Sequence, residues 1–415
     1  MPALRSQKNR PLQIQEPARS KRRGNEDDHE VWLAKKLKGK YPPLTNHSKS
    51  AVDAQRGKVY FYGGYRPEDK REIPTSDFRV FDINTMEFVD LTASLSQITP
   101  PDADLDVKPE PKRKRLPRLS QPGMALIDVQ NRSFIFLFGG HDVDGPAGGP
   151  SSALIAIDLS HKQWYYVPFE DNSQQAGPAA RIDPILIGVN EKLYVFDGLT
   201  GFGENWAYHR SFSVAEFRLG KKSKWVVVDA PYPQNVPAGH FFGKGLAVYE
   251  GDMILLLPGR AQEKARIQFR RDNIFYFIPR NKTFLKATIK GALPRDVVWF
   301  YVNPLDRSVS SPSGPLPYGT PEAVPSVMLC TWLPYGKNDL SPELWKFTIF
   351  PINTFVRLGV AEKLYKLEVN FHRFAMIGSR AFLFGQGDWP EKKAMCNTYT
   401  EIPVRELLIK EESRD

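Results

Sequence analysis

Cysteine is nearly absent from this chain: Cys330 and Cys396 are the two thiols in 415 residues. A single possible pair excludes a disulfide framework and favours a reducing compartment. Long hydrophobic runs are missing too. No stretch approaches the ~20 apolar residues of a membrane-spanning helix, and Met1 to Ser20 contains no apolar core of the kind that marks a secretory signal. The seven histidines (29, 47, 141, 161, 209, 240 and 372) show neither H-x-H nor H-x-x-x-H spacing, which argues against a histidine-built metal centre. No glycine-rich phosphate loop follows a strand and opens a helix. The common sequence marks of metalloenzymes, nucleotide-dependent enzymes and membrane proteins are therefore lacking.

The charge is uneven. The chain carries a net +10, but residues 1–50 hold 12 Lys/Arg against 5 Asp/Glu and residues 101–120 hold 6 against 4, which leaves about +1 for the rest. Cations gathered in tails and loops indicate targeting or loose polyanion contact rather than a groove-reading surface, so no specific nucleic-acid binding is expected. Lys112, Arg113, Lys114 and Arg115, bracketed by Pro111 and Pro117, resemble a nuclear import signal, with Lys21-Arg22-Arg23 as a second candidate. Val107-Lys108-Pro109-Glu110 resembles the apolar-Lys-x-Glu pattern of SUMO attachment at Lys108. A cytoplasmic or nuclear location, or both, is the expectation.

What the chain does contain is a recurring phrase: an apolar run, two small residues, and an aromatic about two dozen positions on. Val59 to Tyr62 leads to Gly63-Gly64 and Phe88; Phe134 to Phe138 leads to Gly139-Gly140 and Trp164. Worn copies run from Leu193 to Asp197-Gly198 and Trp225, and from Met253 to Pro258-Gly259 and Phe284. The spacing from last small residue to aromatic is 24, 24, 27 and 25. Runs rich in Val, Ile, Phe and Tyr have strand composition, and each unit has room for four short strands with turns between them. Units five and six, from Ser326 to Trp332 and from Ala381 to Gly387, keep the apolar run and lose part or all of the glycine pair.

Four-stranded units repeated along a chain make the blades of a propeller. With its double glycine and downstream tryptophan, the phrase resembles the repeat of kelch-type β-propellers, the galactose oxidase and kelch group. The resemblance implies an all-β fold: a six-bladed kelch-type β-propeller of four-stranded antiparallel blades, spanning residues 31–410 behind a disordered basic tail at 1–30. The expected blades are 45–92, 118–168, 179–229, 238–288, 296–358 and 368–405, with a basic, Pro-rich loop inserted at 93–120. The segment 31–37 is expected to close the last blade as an orphan fourth strand; the alternative is a short amphipathic helix.

In such blades the turns between first and second strands, and between third and fourth, share one face. Here those turns are short, while the second-to-third loops are long: 65–76, 141–152, 199–211 and 260–272. Long loops on a rigid scaffold commonly carry function, so this face is the expected binding face. Its candidate contact residues are Tyr65, Arg66, His141, Trp206, Tyr208, His209, Arg260, Arg266, Arg270, Arg271, Trp332, Tyr335 and Trp389. Trp, Tyr and Arg are the usual interface anchors, although each aromatic could equally pack its own loop. Five cations against two anions in 260–272 point to an acidic or phosphorylated protein partner.

Some kelch-like propellers are enzymes. A copper-radical oxidase of the galactose-oxidase kind needs a Cys–Tyr cross-link, a second Tyr and two His, and neither thiol here lies in such a constellation. The loop His141 to Gly145 has two carboxylates but lacks the other ligands of a calcium loop, and reads as a turn. The expectation is therefore a non-enzymatic protein-interaction scaffold or substrate adaptor, with no catalytic residue, metal or cofactor. The segment before Val31 is too short to hold the BTB or F-box domain that accompanies many kelch adaptors. The alternative is an enzyme or small-ligand binder acting at the axial funnel.

Overall fold

Alternation of apolar runs with tight turns makes hairpins, and hairpins side by side make sheets. The computed structural model describes residues 35–36, 48–68, 71–100, 115–145, 148–170, 177–201, 207–237, 242–259, 266–305, 326–335, 339–349, 353–360, 369–377, 380–389, 394–402 and 404. Among them the fold is all-β, built mainly from antiparallel sheets of four or five strands.

The first sheet joins Lys49–Asp53, Lys58–Tyr62, Phe78–Asp82 and Glu87–Asp90. The second joins Gly123–Val129, Arg132–Phe138, Leu154–Asp158 and Gln163–Tyr166. The third joins Ile185–Val189, Lys192–Phe196, Ser211–Glu216 and Lys224–Pro231, and the fourth Phe242–Val248, Met253–Pro258, Phe275–Ile278 and Thr283–Lys286. A fifth holds Trp299–Leu305, Ser326–Tyr335, Asp339–Thr348 and Asn353–Val360. The sixth holds Val369–Ile377, Arg380–Trp389 and Ala394–Ile402, with Lys35–Lys36 from the other end of the chain along its outer edge. The remainder of the expected closing segment, and the tail before it, lie outside the described residues.

The first strand of each sheet lies beside the first strand of the next, and that of the sixth lies beside that of the first. Apolar side chains fill the clefts between neighbours. Phe134, Phe136 and Phe138 of the second sheet pack with Leu193, Val195 and Trp225 of the third. Phe61, Phe81 and Phe88 of the first meet Phe382 and Phe384 of the sixth edge-on, with ring centroids 4.9 to 5.8 Å apart. Trp332 belongs to this packing: it is 1% exposed and stacks on Trp299. The expectation that Trp332, Tyr335 and Trp389 lie in loops is corrected, since all three fall within strands. The expected partner contact at Trp332 is withdrawn with it, because a side chain this deep has no free surface.

The outer edges are covered in a consistent way. Ser96–Gln97 pairs in parallel with Gln163 and Trp164 of the next sheet, and Ile289–Gly291 with Asn353–Phe355. Phe169 makes a single parallel bridge to Ser223. The connection leaving one sheet thus shields the unpaired edge of the following one, where open edges invite association.

The glycine pairs have a steric cause. Gly63 and Gly64 sit at φ +63° and +98°, Gly139 and Gly140 at +69° and +85°, a region that a Cβ disfavours. A Cβ on Gly140 would stand 2.9 Å from the Ser120 carbonyl oxygen and 3.0 Å from Pro122 N, both rigid backbone. Gly140→Ala is therefore expected to cost more than about 1 kcal/mol. Gly149→Ala, where a Cβ meets nothing within 4 Å, is the control. Denaturant unfolding compares them; equal midpoints would contradict the clash.

Candidate functional site

In the third sheet, the left-handed position that opens the phrase is taken by Asp197, at φ +52°, followed by Gly198 at +111°. Aspartate tolerates this conformation better than most residues. The exchange puts a carboxyl group at a strand exit where the first two sheets carry only hydrogen. Asp197 is 2% exposed. Its Oδ2 accepts from the Phe242 N–H at 2.6 Å, tying it to the first strand of the fourth sheet. Burial pushes its pKa up to about 8; the Phe242 N–H, the Tyr232 hydroxyl, Arg181 and Arg210 offset burial only in part. Asp197 is therefore mostly protonated at neutral pH, and a buried protonated carboxyl is a hydrogen-bond donor.

Arg181 anchors the surroundings. It lies on the approach to the third sheet and is fully buried. Its Nε donates to the Ala179 carbonyl at 3.0 Å, one terminal nitrogen to the Asp197 carbonyl at 3.1 Å, and the other to the Asp229 carboxylate. Asp229 comes from the outermost strand, also at positive φ. It accepts from the Ala179 N–H at 2.8 Å and the Ser213 hydroxyl at 3.1 Å. Burial works to raise the Asp229 pKa, but the Ala179 N–H and the Arg181 guanidinium outweigh it and hold it below the usual carboxylate range. One guanidinium thus joins the connection, the exit of the second strand and the outer strand.

Two further side chains face this cluster. Tyr232 stands beyond the outer strand with its ring against Phe242 and Phe284, centroids 5.5 and 5.1 Å away. Burial first, and the Asp197 carboxyl second, push its hydroxyl well above the ordinary tyrosine range. His209 is held by its backbone N–H donating to the Gly198 carbonyl at 2.9 Å. Burial and the nearby Arg181 charge lower its pKa, so the ring is neutral at neutral pH. Three buried atoms here lack a hydrogen bond of ordinary geometry: Asp197 Oδ1, the Tyr232 hydroxyl and His209 Nε2. Asp197 and Tyr232 nevertheless lie close enough to shift each other's proton affinity. Unsatisfied buried polar atoms are uncommon and call for an explanation.

The other candidates are spread out and mostly occupied. The Tyr65 hydroxyl bonds the Ser120 hydroxyl, and Arg66 pairs in register with Ile73 of a small hairpin. His141 is half-buried, its pKa lowered by burial. Tyr208 forms an isolated bridge with Leu199. Arg266 pairs with Asp296 at 3.4 Å and Arg270 with Asp272 at 3.3 Å, while Arg271 donates to the Gly291 carbonyl at 3.3 Å. The aspartate turn offers no cation site at Asp144, whose two oxygens take the Arg118 backbone and guanidinium N–H groups. Arg115 is exposed. Lys108, Lys112, Arg113, Lys114, Trp206 and Arg260 lie outside the described residues. Of the candidates named from sequence, only His209 joins the buried cluster. Arg181, Asp197, Asp229 and Tyr232 were missed; the one sequence signal for them was an aspartate in a glycine's place.

No protein-family model matches the chain, and no curated protein does. Solved structures resemble it at low identity. YjhT shares 12% identity over 75% of this chain and 84% of its own, with a TM-score of 0.45. The N-terminal domain of Nup159 shares 10% over 91% and 97%, at 0.37. The Penicillium chrysogenum α-L-arabinanase, solved with arabinobiose, shares 11% over 88% and 99%, at 0.39. These are propeller-like folds. Besides the arabinanase, a mannose phosphorylase and a glycosyl hydrolase resemble the chain. The non-enzymatic scaffold expected from sequence is corrected: an arabinanase, a mannose phosphorylase and a glycosyl hydrolase are among the solved structures that resemble the chain. The physical reason is that missing metal, nucleotide and copper-radical motifs bear only on the chemistries that use them, and say nothing of an enzyme that uses none.

Proposed function

We propose that the chain is an enzyme or small-ligand binder whose working group is neutral Asp197, placed to donate a proton or hydrogen bond to a bound small molecule. The observation that carries this reading is a carboxyl group buried at a strand exit, its Oδ2 on the Phe242 N–H and the Tyr232 hydroxyl beside it, with its proton held by burial. Perturbed titratable groups gathered in one place are a mark of functional sites. In this reading Arg181 and Asp229 are positioning residues, while Tyr232 and His209 contact the ligand. The six sheets are the blades of one closed ring of kelch type, supported by the contacts between successive first strands. Asp183, two residues beyond Arg181, pairs with Lys49 of the first sheet.

The test is a screen of polar metabolites (sugars, organic acids, phosphate esters) by thermal shift against the full chain. At least one compound is expected to stabilise the wild type and to lose that effect in Asp197→Ala. Binders that all survive the substitution would move the site elsewhere.

A further inference from the structure

We infer that the outer strand of the fourth sheet, Thr283–Lys286, together with the connection that follows it, is a docking surface for an acidic, extended segment of another protein. The inference concerns an exposed sheet edge and does not rest on the Asp197 cluster.

The charge there is one-sided and unbalanced. From Asn273 to Arg295 the chain carries Arg280, Lys282, Lys286, Lys290 and Arg295 and no Asp or Glu. All five cations are exposed, and none of them forms an ion pair among the described residues. The loop cations expected to meet an acidic partner are already engaged: Arg266 with Asp296, Arg270 with Asp272 and Arg271 with the Gly291 carbonyl. In the midst of the five stands Leu285, 52% exposed; with Val89 it makes up the exposed large apolar side chains among the described residues. Local structure fixes where it lies. Leu285 is opposite Tyr276 in register, and the Tyr276 hydroxyl bonds the Asn353 side chain of the fifth sheet. Opposite residues share a face, so Leu285 sits at the mouth of the cleft between the fourth and fifth sheets. Ile289 is buried in that cleft, so Lys290, next along an extended strand, points outward. An acidic segment with one apolar side chain satisfies both features: its carboxylates meet the cations and its apolar group covers Leu285.

Other occupants fit less well. Backbone pairing is obstructed at the centre of the strand, because the Asn235 side-chain amide donates to the Phe284 carbonyl at 2.8 Å. Recognition therefore runs through side chains. A second copy of this chain offers an acidic outer strand, Glu87–Asp90, with Val89 exposed. Two such edges meet over four residues each, however, far below the roughly 1,200 Å² of a stable interface. Single-stranded nucleic acid is held by stacking on aromatic side chains, and none is exposed among those described. Attachment to a bilayer scales with buried apolar area, and one leucine supplies little.

The experiment measures binding to the full chain at about 20 mM salt, where surface charges are little screened. The probes are a fluorescein-labelled peptide Glu-Asp-Leu-Glu-Asp-Glu, a labelled oligothymidylate of the same charge, and vesicles of phosphatidylserine and phosphatidylcholine. The variants are the double reversal Lys286→Glu with Lys290→Glu, and Leu285→Ser. All three side chains are exposed, so both variants are expected to melt with the wild type. The peptide is expected to bind about tenfold more weakly to the double reversal and about fivefold more weakly to Leu285→Ser. Asp197→Asn is expected to bind it as the wild type does, which separates this surface from the proposed site. Failure of the peptide to bind, or binding that either surface variant leaves unchanged, would overturn the inference. Tighter binding of oligothymidylate or vesicles than of the peptide would overturn the protein partner. Dimers in light scattering that the double reversal abolishes would assign the edge to a second copy, and overturn it too.

Discussion

Asp197→Asn is expected to stabilise the protein at pH 8 and to flatten its stability between pH 4 and pH 8. The carboxyl holds its proton to about pH 8 when folded, against an ordinary value near 4 when unfolded. Its folded pKa is raised, so the stability it contributes is fully present below about pH 4 and is lost as pH rises through that window. The unfolded chain gives up the proton first, and each pH unit then costs up to about 1.4 kcal/mol from this group. Asparagine keeps an oxygen for the Phe242 N–H and turns an uncharged amide toward Tyr232, so the variant has no such slope. Melting temperatures from pH 4 to pH 9 check this. Parallel curves for wild type and variant would show that Asp197 does not carry a raised pKa. The same substitution removes the proposed proton donor, so the expected gain in stability comes with loss of function, the usual conflict at a working site.

Arg181→Met is expected to be the most damaging single change in the site, at about 3–5 kcal/mol. The guanidinium serves the Ala179 carbonyl, the Asp197 carbonyl and the Asp229 carboxylate from a fully buried position. Its loss leaves Asp229 in a half-buried place without its cation. Arg181→Lys should recover little, because the three acceptors are met from three separate nitrogens of the planar guanidinium, a spread that one ammonium nitrogen cannot match. The double variant Arg181→Met with Asp229→Asn should lose less than the sum of the two single variants, since each removes the other's reason to be charged. Denaturant unfolding of all four proteins completes the cycle. Additive losses would mean that the pair is not energetically coupled.

Much of the fold was legible because its cause is local. The apolar runs from Val59, Phe134 and Leu193 lie within the strands Lys58–Tyr62, Arg132–Phe138 and Lys192–Phe196. Gly63, Gly64, Gly139 and Gly140 signalled backbone that needs positive φ, and they have it. The fifth sheet was harder to read, since its strands carry no glycine punctuation and Trp332 looked like a loop anchor until its neighbours were in place. The site was the least legible part. Arg181 sits in a connection with nothing local to announce burial; its partners come from residues 48 and 16 positions away. Tyr232 and Phe242 meet Asp197 only because the fourth sheet packs beside the third. Asp197 was visible, but as a worn glycine. At this position the loss of a glycine introduced a buried carboxyl group.

The pairing of Lys35–Lys36 with Thr398 and Tyr399 bears on how the chain folds. Every other main sheet is assembled from strands close together in sequence and can form from its own hairpins. The sixth cannot be completed until nearly the whole chain is present and its two ends have met, a loop closure whose entropic cost is borne before any contact rewards it. The seam between the first and sixth sheets, lined by Phe61, Phe81, Phe382 and Phe384, is therefore expected to form last. During synthesis the first sheet waits with one apolar face open for a partner that the ribosome has yet to make.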